Sequence, residues 1–150
     1  MKYFSVCAVL LLLITACDLG EEMPDCTGAT VGTNVLTLRV EDAEGNNLIE
    51  NGTYHKDTVA IVYNYQVVGG VPTNPNFDDL IALFLNGQRG PSEFVVYYNA
   101  ETIDTLQLDL SYEYLGTCGG NDYTIEEAEY NNEIKTVTKD SLGYNIVVVK

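Results

Sequence analysis

The sequence predicts an all-β domain, an antiparallel β-sandwich of about seven to eight strands, with a small β-barrel as the alternative. Three observations carry the prediction. Apolar residues recur with period two in one segment after another, and Gly, Asn and Asp clusters punctuate those segments every 8–15 residues or so. No stretch longer than two helical turns carries helical apolar spacing. Short Gly and Asn turns favour hairpins between neighbours over parallel crossovers. Spacing alone does not count sheet edges, so the barrel stays open.

Taken in order, the first strand spans Asn34 to Asp42, with Leu36, Leu38 and Val40 on one face and Thr37, Arg39 and Glu41 on the other. It ends in Asp42-Ala43-Glu44-Gly45-Asn46-Asn47, dense in turn formers, and Asn51-Gly52 turns again after Leu48-Ile49. Thr58 to Tyr65 is the second strand, with Val59, Ile61, Tyr63 and Tyr65 sharing a face. Gly69-Gly70, Pro72 and Pro75 mark Gln66 to Asp79 as a long irregular loop. Leu80 to Leu85 is continuously apolar, as in a strand buried on both faces, and Asn86-Gly87 stops it. Glu93 to Asn99 follows, then Thr105 to Leu115. In the latter Leu106, Leu108, Leu110, Tyr112 and Tyr114 oppose Gln107, Asp109, Ser111 and Glu113.

After the break at Gly116-Thr117-Cys118-Gly119-Gly120, Thr124-Ile125-Glu126-Glu127 fits a helix capping box. Only about seven residues precede Asn131-Asn132, too few for an unsupported helix. A bulged strand from Asp122 to Tyr130 is expected instead, turning at Asn131-Asn132 into Glu133 to Thr138. Asp140 to Gly143 turns once more, and Tyr144 to Val149 is an apolar strand.

The N-terminus has a different character. Lys2 precedes an apolar run from Phe4 to Ile14, and the run closes on Ile14-Thr15-Ala16-Cys17. The run is short of the roughly 20 residues that a spanning helix needs, and its small residues before a cut are those of a secretory signal. The closing residues resemble the lipobox of bacterial lipoproteins. That resemblance implies cleavage between Ala16 and Cys17 and lipidation of Cys17. It places the protein in the bacterial envelope, anchored to the membrane through lipid and expected at the outer membrane. The resulting division is a signal peptide at 1–16, a lipidated cysteine and acidic tether at 17–33, and the β-sandwich domain at 34–150. The acidic start of the tether, Asp18 to Asp25, also loosely resembles lipoprotein surface-export signals; a plain solvated linker accounts for it equally well.

Removal of the leader leaves 134 of the 150 residues, with all 22 acidic side chains and six of the seven basic ones, a formal net charge of −16. Nucleic acid and anionic headgroups need clustered Lys and Arg and are excluded as partners. A protein or glycan ligand remains open. Cys26 and Cys118 form an even pair for an oxidising compartment. Their disulfide would close a loop of about 90 residues, worth roughly 4–5 kcal/mol in the chain-entropy model. Two metal thiolates are the rival, but no Cys-x-x-Cys spacing or nearby histidine supports them.

Val40-Glu41-Asp42-Ala43-Glu44-Gly45-Asn46-Asn47-Leu48 resembles the opening of transthyretin-like and carboxypeptidase-regulatory-like domains, which implies a non-catalytic sandwich; Asn51-Gly52-Thr53 departs from the small residue expected there. Asp57-Thr58-Val59, Asp104-Thr105-Leu106 and Asp140-Ser141-Leu142 resemble the Asp-Ser/Thr-aliphatic acceptor of envelope O-glycosylation, which implies Thr58, Thr105 and Ser141 as candidates.

No catalytic, cofactor or metal set is expected. His55 is the only histidine, in a polar turn, and Ser92, Ser111 and Ser141 sit in no nucleophile elbow. Asp42 to Asn46 alternates oxygen ligands but fails the EF-hand pattern, and an Asx turn explains it. Acidic pairs such as Asp78-Asp79 and Glu126-Glu127 with Glu129 are read as solvated faces. A carboxylate pair for glycan chemistry needs geometry to identify it. The expected function is a non-catalytic binding or structural module on a membrane anchor. An acidic inhibitor of a basic lytic enzyme is the alternative, and a glycan- or peptide-acting enzyme the third reading. Tyr63, Tyr65, Tyr97, Tyr98, Tyr112 and Tyr114 are candidates for a contact face or, more simply, for the core.

Overall fold

A computed structural model describes residues 25–77 and 79–150. The segment expected to be a signal peptide, with Ala16, Cys17 and the expected tether as far as Pro24, lies outside the described residues, as does Asp78. In chain order the strands are β1 Val35–Glu41, β2 Ala60–Tyr63, β3 Gln66–Gly70, β4 Ile81–Phe84 and β5 Gly90–Tyr97. They continue with β6 Ile103–Tyr114, β7 Asn121–Tyr130, β8 Glu133–Ile134, β9 Thr138–Lys139 and β10 Tyr144–Val149. One sheet holds all ten, in the order β8-β7-β6-β5-β2-β3-β4-β1-β10-β9.

That sheet is rolled. Laid flat, ten strands spaced about 4.8 Å apart would put β8 and β9 roughly 43 Å from each other. Only Lys135, Thr136 and Val137 join them, and such a link reaches about 14 Å when fully extended. The two open ends of the sheet therefore lie within about 14 Å of each other, and the β10-β1-β4 half faces the β5-β6-β7 half across one sandwich- or barrel-like core. Inward residues of both halves, Leu36, Leu38 and Val40 of β1 and Leu106, Leu108 and Leu110 of β6, are at most 2% exposed. Each such aliphatic side chain contributes roughly 1.5–3 kcal/mol by leaving water. Across the core the Tyr144 hydroxyl donates to the Tyr123 carbonyl at 2.7 Å, and Tyr123 N–H donates to the Thr33 carbonyl at 2.9 Å.

Most expected strands are present within a few residues, and the bulge lies where Glu126 is the extra residue, between the pairs Asp109–Glu127 and Leu110–Ile125. Three differences have physical causes. First, Asn64 and Tyr65 both take positive φ, 48° and 65°. This is the hairpin-turn conformation, so Tyr65 turns the chain and is fully exposed instead of sharing a face with Tyr63. Second, Gly69-Gly70 is strand, not loop. A Cβ on Gly69 would sit 2.4 Å from the Ala82 carbonyl oxygen, so glycine is what lets β3 lie between β2 and β4. Third, Glu133 to Thr138 is split, because β8 bonds to β7 and β9 to β10 at the opposite end of the sheet. Nine neighbouring pairs make up the sheet and one, β1 with β10, is parallel, Leu38 lying opposite Ile146. Hairpin turns carry no information about such a pair.

Residues 26–33, assigned to the tether by composition, are fastened to the domain. Gly32 N–H donates to the Gly119 carbonyl at 2.8 Å, and Thr33 N–H to the Asp122 carboxylate at 2.8 Å. Cys26 and Cys118 form a disulfide, with Cα atoms 5.3 Å apart.

Candidate functional site

Two places gather charge. The first is a trough of about 360 Å³ on the solvent side of the long hairpins, lined by Pro91, Ser92, Glu93, Gln107, Leu108, Asp109, Glu127 and Glu129. Strand register builds it: Glu93, Gln107 and Glu129 form one cross-strand row, and Pro91, Asp109 and Glu127 the next. Alternation along β5, β6 and β7 sends the aliphatic residues inward and these outward. The lining holds four carboxylates and no Lys or Arg. Gln107 reaches Glu93 at 3.4 Å, and near the trough Ser111 donates to Glu126 at 2.8 Å. Side by side, like charges favour any cation that approaches them.

The second is an inward-facing polar cluster at the other end of β5 and β6. Asp104 occupies a core-facing position of β6 and is 8% exposed. The Lys150 ammonium lies 2.6 Å from its Oδ2, and the Tyr130 hydroxyl donates to the same oxygen at 2.6 Å. Tyr98 and Tyr130 share a hydrogen bond of 2.5 Å. Because Tyr130 has given its one proton to Asp104, Tyr98 must be the donor in that bond. The Lys150 ammonium also sits 4.3 Å from the centre of the Tyr98 ring and 5.7 Å from that of Tyr54, and these two rings are 4.5 Å apart. Burial alone would raise the Asp104 carboxyl, but hydrogen bonds from Lys150, Tyr130 and Asn131 outweigh it and hold the group below its ordinary value. Burial pushes both tyrosine hydroxyls up, and for Tyr130 the neighbouring Tyr98 and Asp104 add to it.

The residues singled out from sequence are spread over the domain. His55 is exposed and caps a single 3-10 turn at Lys56–Thr58, its Nδ1 accepting from Asp57 N–H at 3.4 Å. Ser92 is buried with its hydroxyl 3.3 Å from the Gly90 carbonyl, and among the described residues no serine hydrogen-bonds His55. The Asp42 carboxylate accepts from Glu44 N–H, Asn46 N–H and the Asn46 amide. Those bonds, the one to the Asn46 side chain foremost, hold it below its ordinary value. Its oxygens close an Asx turn. Among the described residues no group of three or more His, Cys, Asp or Glu is placed to hold a metal.

Of the glycosylation candidates, Ser141 lies in an exposed turn. The Thr58 hydroxyl lies 2.8 Å from the His55 carbonyl and 2.6 Å from that of Tyr98. Thr105 is half-buried in β6, between β5 and β7. Among the tyrosines, Tyr98 is buried, Tyr63, Tyr97 and Tyr112 are half-buried, Tyr65 is exposed in the turn between β2 and β3, and Tyr114 is exposed at the end of β6. They make no common face.

The Lys150 cluster was missed in the sequence, although a signal was there. Period two places Asp104 in line with Leu106, Leu108 and Leu110, and an inward carboxylate demands a cation and donors. Comparison with protein-family models, curated proteins and solved structures finds no match.

Proposed function

We propose that this protein is a non-catalytic binding module of the bacterial envelope, tethered through lipidated Cys17, whose acidic trough receives a basic protein partner. The observation that carries the reading is the trough itself, four carboxylates on three adjacent strands with no cation in the lining. A net charge of −16 after loss of the leader adds long-range steering toward the same class of partner. A basic lytic enzyme is the partner class with the matching sign. A glycan ligand would call for an exposed aromatic platform, and the tyrosines are dispersed. An enzyme working with two carboxylates needs one held above its ordinary value. Among the described residues, the carboxylates displaced from their ordinary values are Asp25, Asp42, Asp104 and Glu133, all downward.

The test is binding of a cationic muramidase to the mature chain and to a variant carrying Glu93→Gln, Asp109→Asn, Glu127→Gln and Glu129→Gln. Tight binding by the native trough is expected to weaken at least tenfold in the variant, and to weaken steadily as salt rises from 50 to 300 mM. Equal affinity in both proteins defeats the trough as the contact surface. For the anchor, Cys17→Ser is expected to move the protein from the membrane fraction to the soluble one; retention on the membrane removes the lipid from the account.

A further inference from the structure

We infer that Tyr54, Tyr98, Tyr130 and Asp104 form a recognition pocket for a primary alkylammonium, and that Lys150 fills it as a resident, exchangeable occupant. The walls are those that ammonium recognition requires: two tyrosine rings for the cation, at 4.3 and 5.7 Å, and a carboxylate at 2.6 Å for its hydrogen bond. The carboxylate is prepared for the task by its own donor. Tyr130 takes one lone pair of Oδ2, and Tyr98 in turn supports Tyr130, so the oxygen is oriented before a cation arrives. The pocket is built without Lys150. Asp104 and Tyr130 lie on β6 and β7, and Tyr98 directly follows β5; these are the strands with the longest mutual pairing. Tyr54 is set by its backbone bond to Leu48 at 2.9 Å.

The occupant is held differently. Lys150 follows the end of β10 and is fixed there by one backbone bond to the Glu41 carbonyl at 2.9 Å. Its side chain keeps 18% exposure, against 8% for Asp104. The ammonium is therefore the removable part of the assembly, and withdrawal of one side chain opens a site of matching chemistry. This pocket lies on the core side of the sheet and is independent of the acidic trough, so the two readings stand or fall separately.

The test uses Lys150→Ala, which deletes the fragment that n-propylammonium restores. Thermal unfolding and tyrosine NMR shifts are followed as n-propylammonium, propanol or sodium chloride is added. A blocked lysine amide forms a further arm, which separates the lysine of a polypeptide from a free amine. The expected result is a saturable rise in midpoint and saturable shifts at Tyr98 and Tyr130 with the ammonium ligands, absent with propanol or salt. The response is expected to be at least tenfold weaker in native protein, where Lys150 competes. Adding Asp104→Asn to Lys150→Ala should abolish it. If Lys150→Ala does not fold by itself, refolding in n-propylammonium takes the place of the titration, and recovery of folded protein with the ammonium alone supports the pocket. No ammonium-specific response, failed recovery, or a response that survives Asp104→Asn overturns the inference and leaves Lys150 as a fixed structural clasp.

Discussion

Replacing both Cys26 and Cys118 with serine removes the covalent link between the N-terminal arm and the β6–β7 turn, across a sequence separation of 92. In the chain-entropy model a loop of this length lowers unfolded-state entropy by an amount worth about 4.6 kcal/mol at 25 °C. The native structure has little to add, because Cys26 is exposed and Cys118 only half-buried. For a folded unit of about 125 residues the unfolding entropy near the midpoint is about 0.26 kcal/mol/K, so the midpoint should fall by roughly 18 °C. Urea unfolding of the oxidised protein and the double variant, followed by far-ultraviolet circular dichroism, measures the same loss independently. The m-value should rise in the variant, since the freed unfolded chain exposes more surface. A loss below about 1.5 kcal/mol with an unchanged m-value would refute the reasoning, because the bond would then not be restraining the unfolded chain.

Three other changes address separate features. Asp104→Asn should cost about 2–3 kcal/mol near neutral pH, below the roughly 3–5 kcal/mol typical of a broken, fully buried pair because Lys150 keeps partial exposure. Asp104 is held below its unfolded value, so its contribution is full above about pH 4–5 and fades as pH falls through the folded value; stability curves of the two proteins should converge in acid, and parallel curves would contradict the assignment. Gly69→Ala places a methyl 2.4 Å from the Ala82 carbonyl oxygen and must separate β3 from β4, a loss of about 2–3 kcal/mol in denaturant unfolding; a change under about 0.5 kcal/mol would show that the two strands yield freely. Asn132 has φ of 66°, so Asn132→Gly should be neutral or slightly stabilising while Asn132→Val costs about 1–2 kcal/mol; equal midpoints for the pair would count against the left-handed turn.

The strands were legible wherever one face meets the core and the other meets water, as in β1 and β6, because burial writes period two directly into the residues. Local chemistry also marked the turn at Asn131-Asn132 and the bulge in β7. β3 was hidden because its glycines answer to strand neighbours on both sides, and a residue chosen for close approach looks like one chosen for a bend. The parallel contact between β1 and β10 depends on residues 107 or 108 apart, such as Thr37 with the Tyr144 carbonyl and the Asn145 side chain. No local window contains both partners. For the candidate sites the distinction is similar. The trough's carboxylates could be assigned to outward faces, but their assembly needed the cross-strand register. Asp104 could be seen as out of place, but its cation lay 46 positions further along the chain.

The pairing of β1 has a consequence for the order of assembly. β1 is flanked by β4 on one side and by β10 on the other, so more than half of its cross-strand partners come from the strand that emerges last in this sequence. The antiparallel run β5-β6-β7 can zip up from nearby turns, whereas the seam at β1 must wait for a loop of more than a hundred residues to close. Contacts of such span are slow to form. Until then one flank of β1 offers unpaired N–H and C=O groups to any extended segment nearby, and the late arrival of β10 is what ends that exposure.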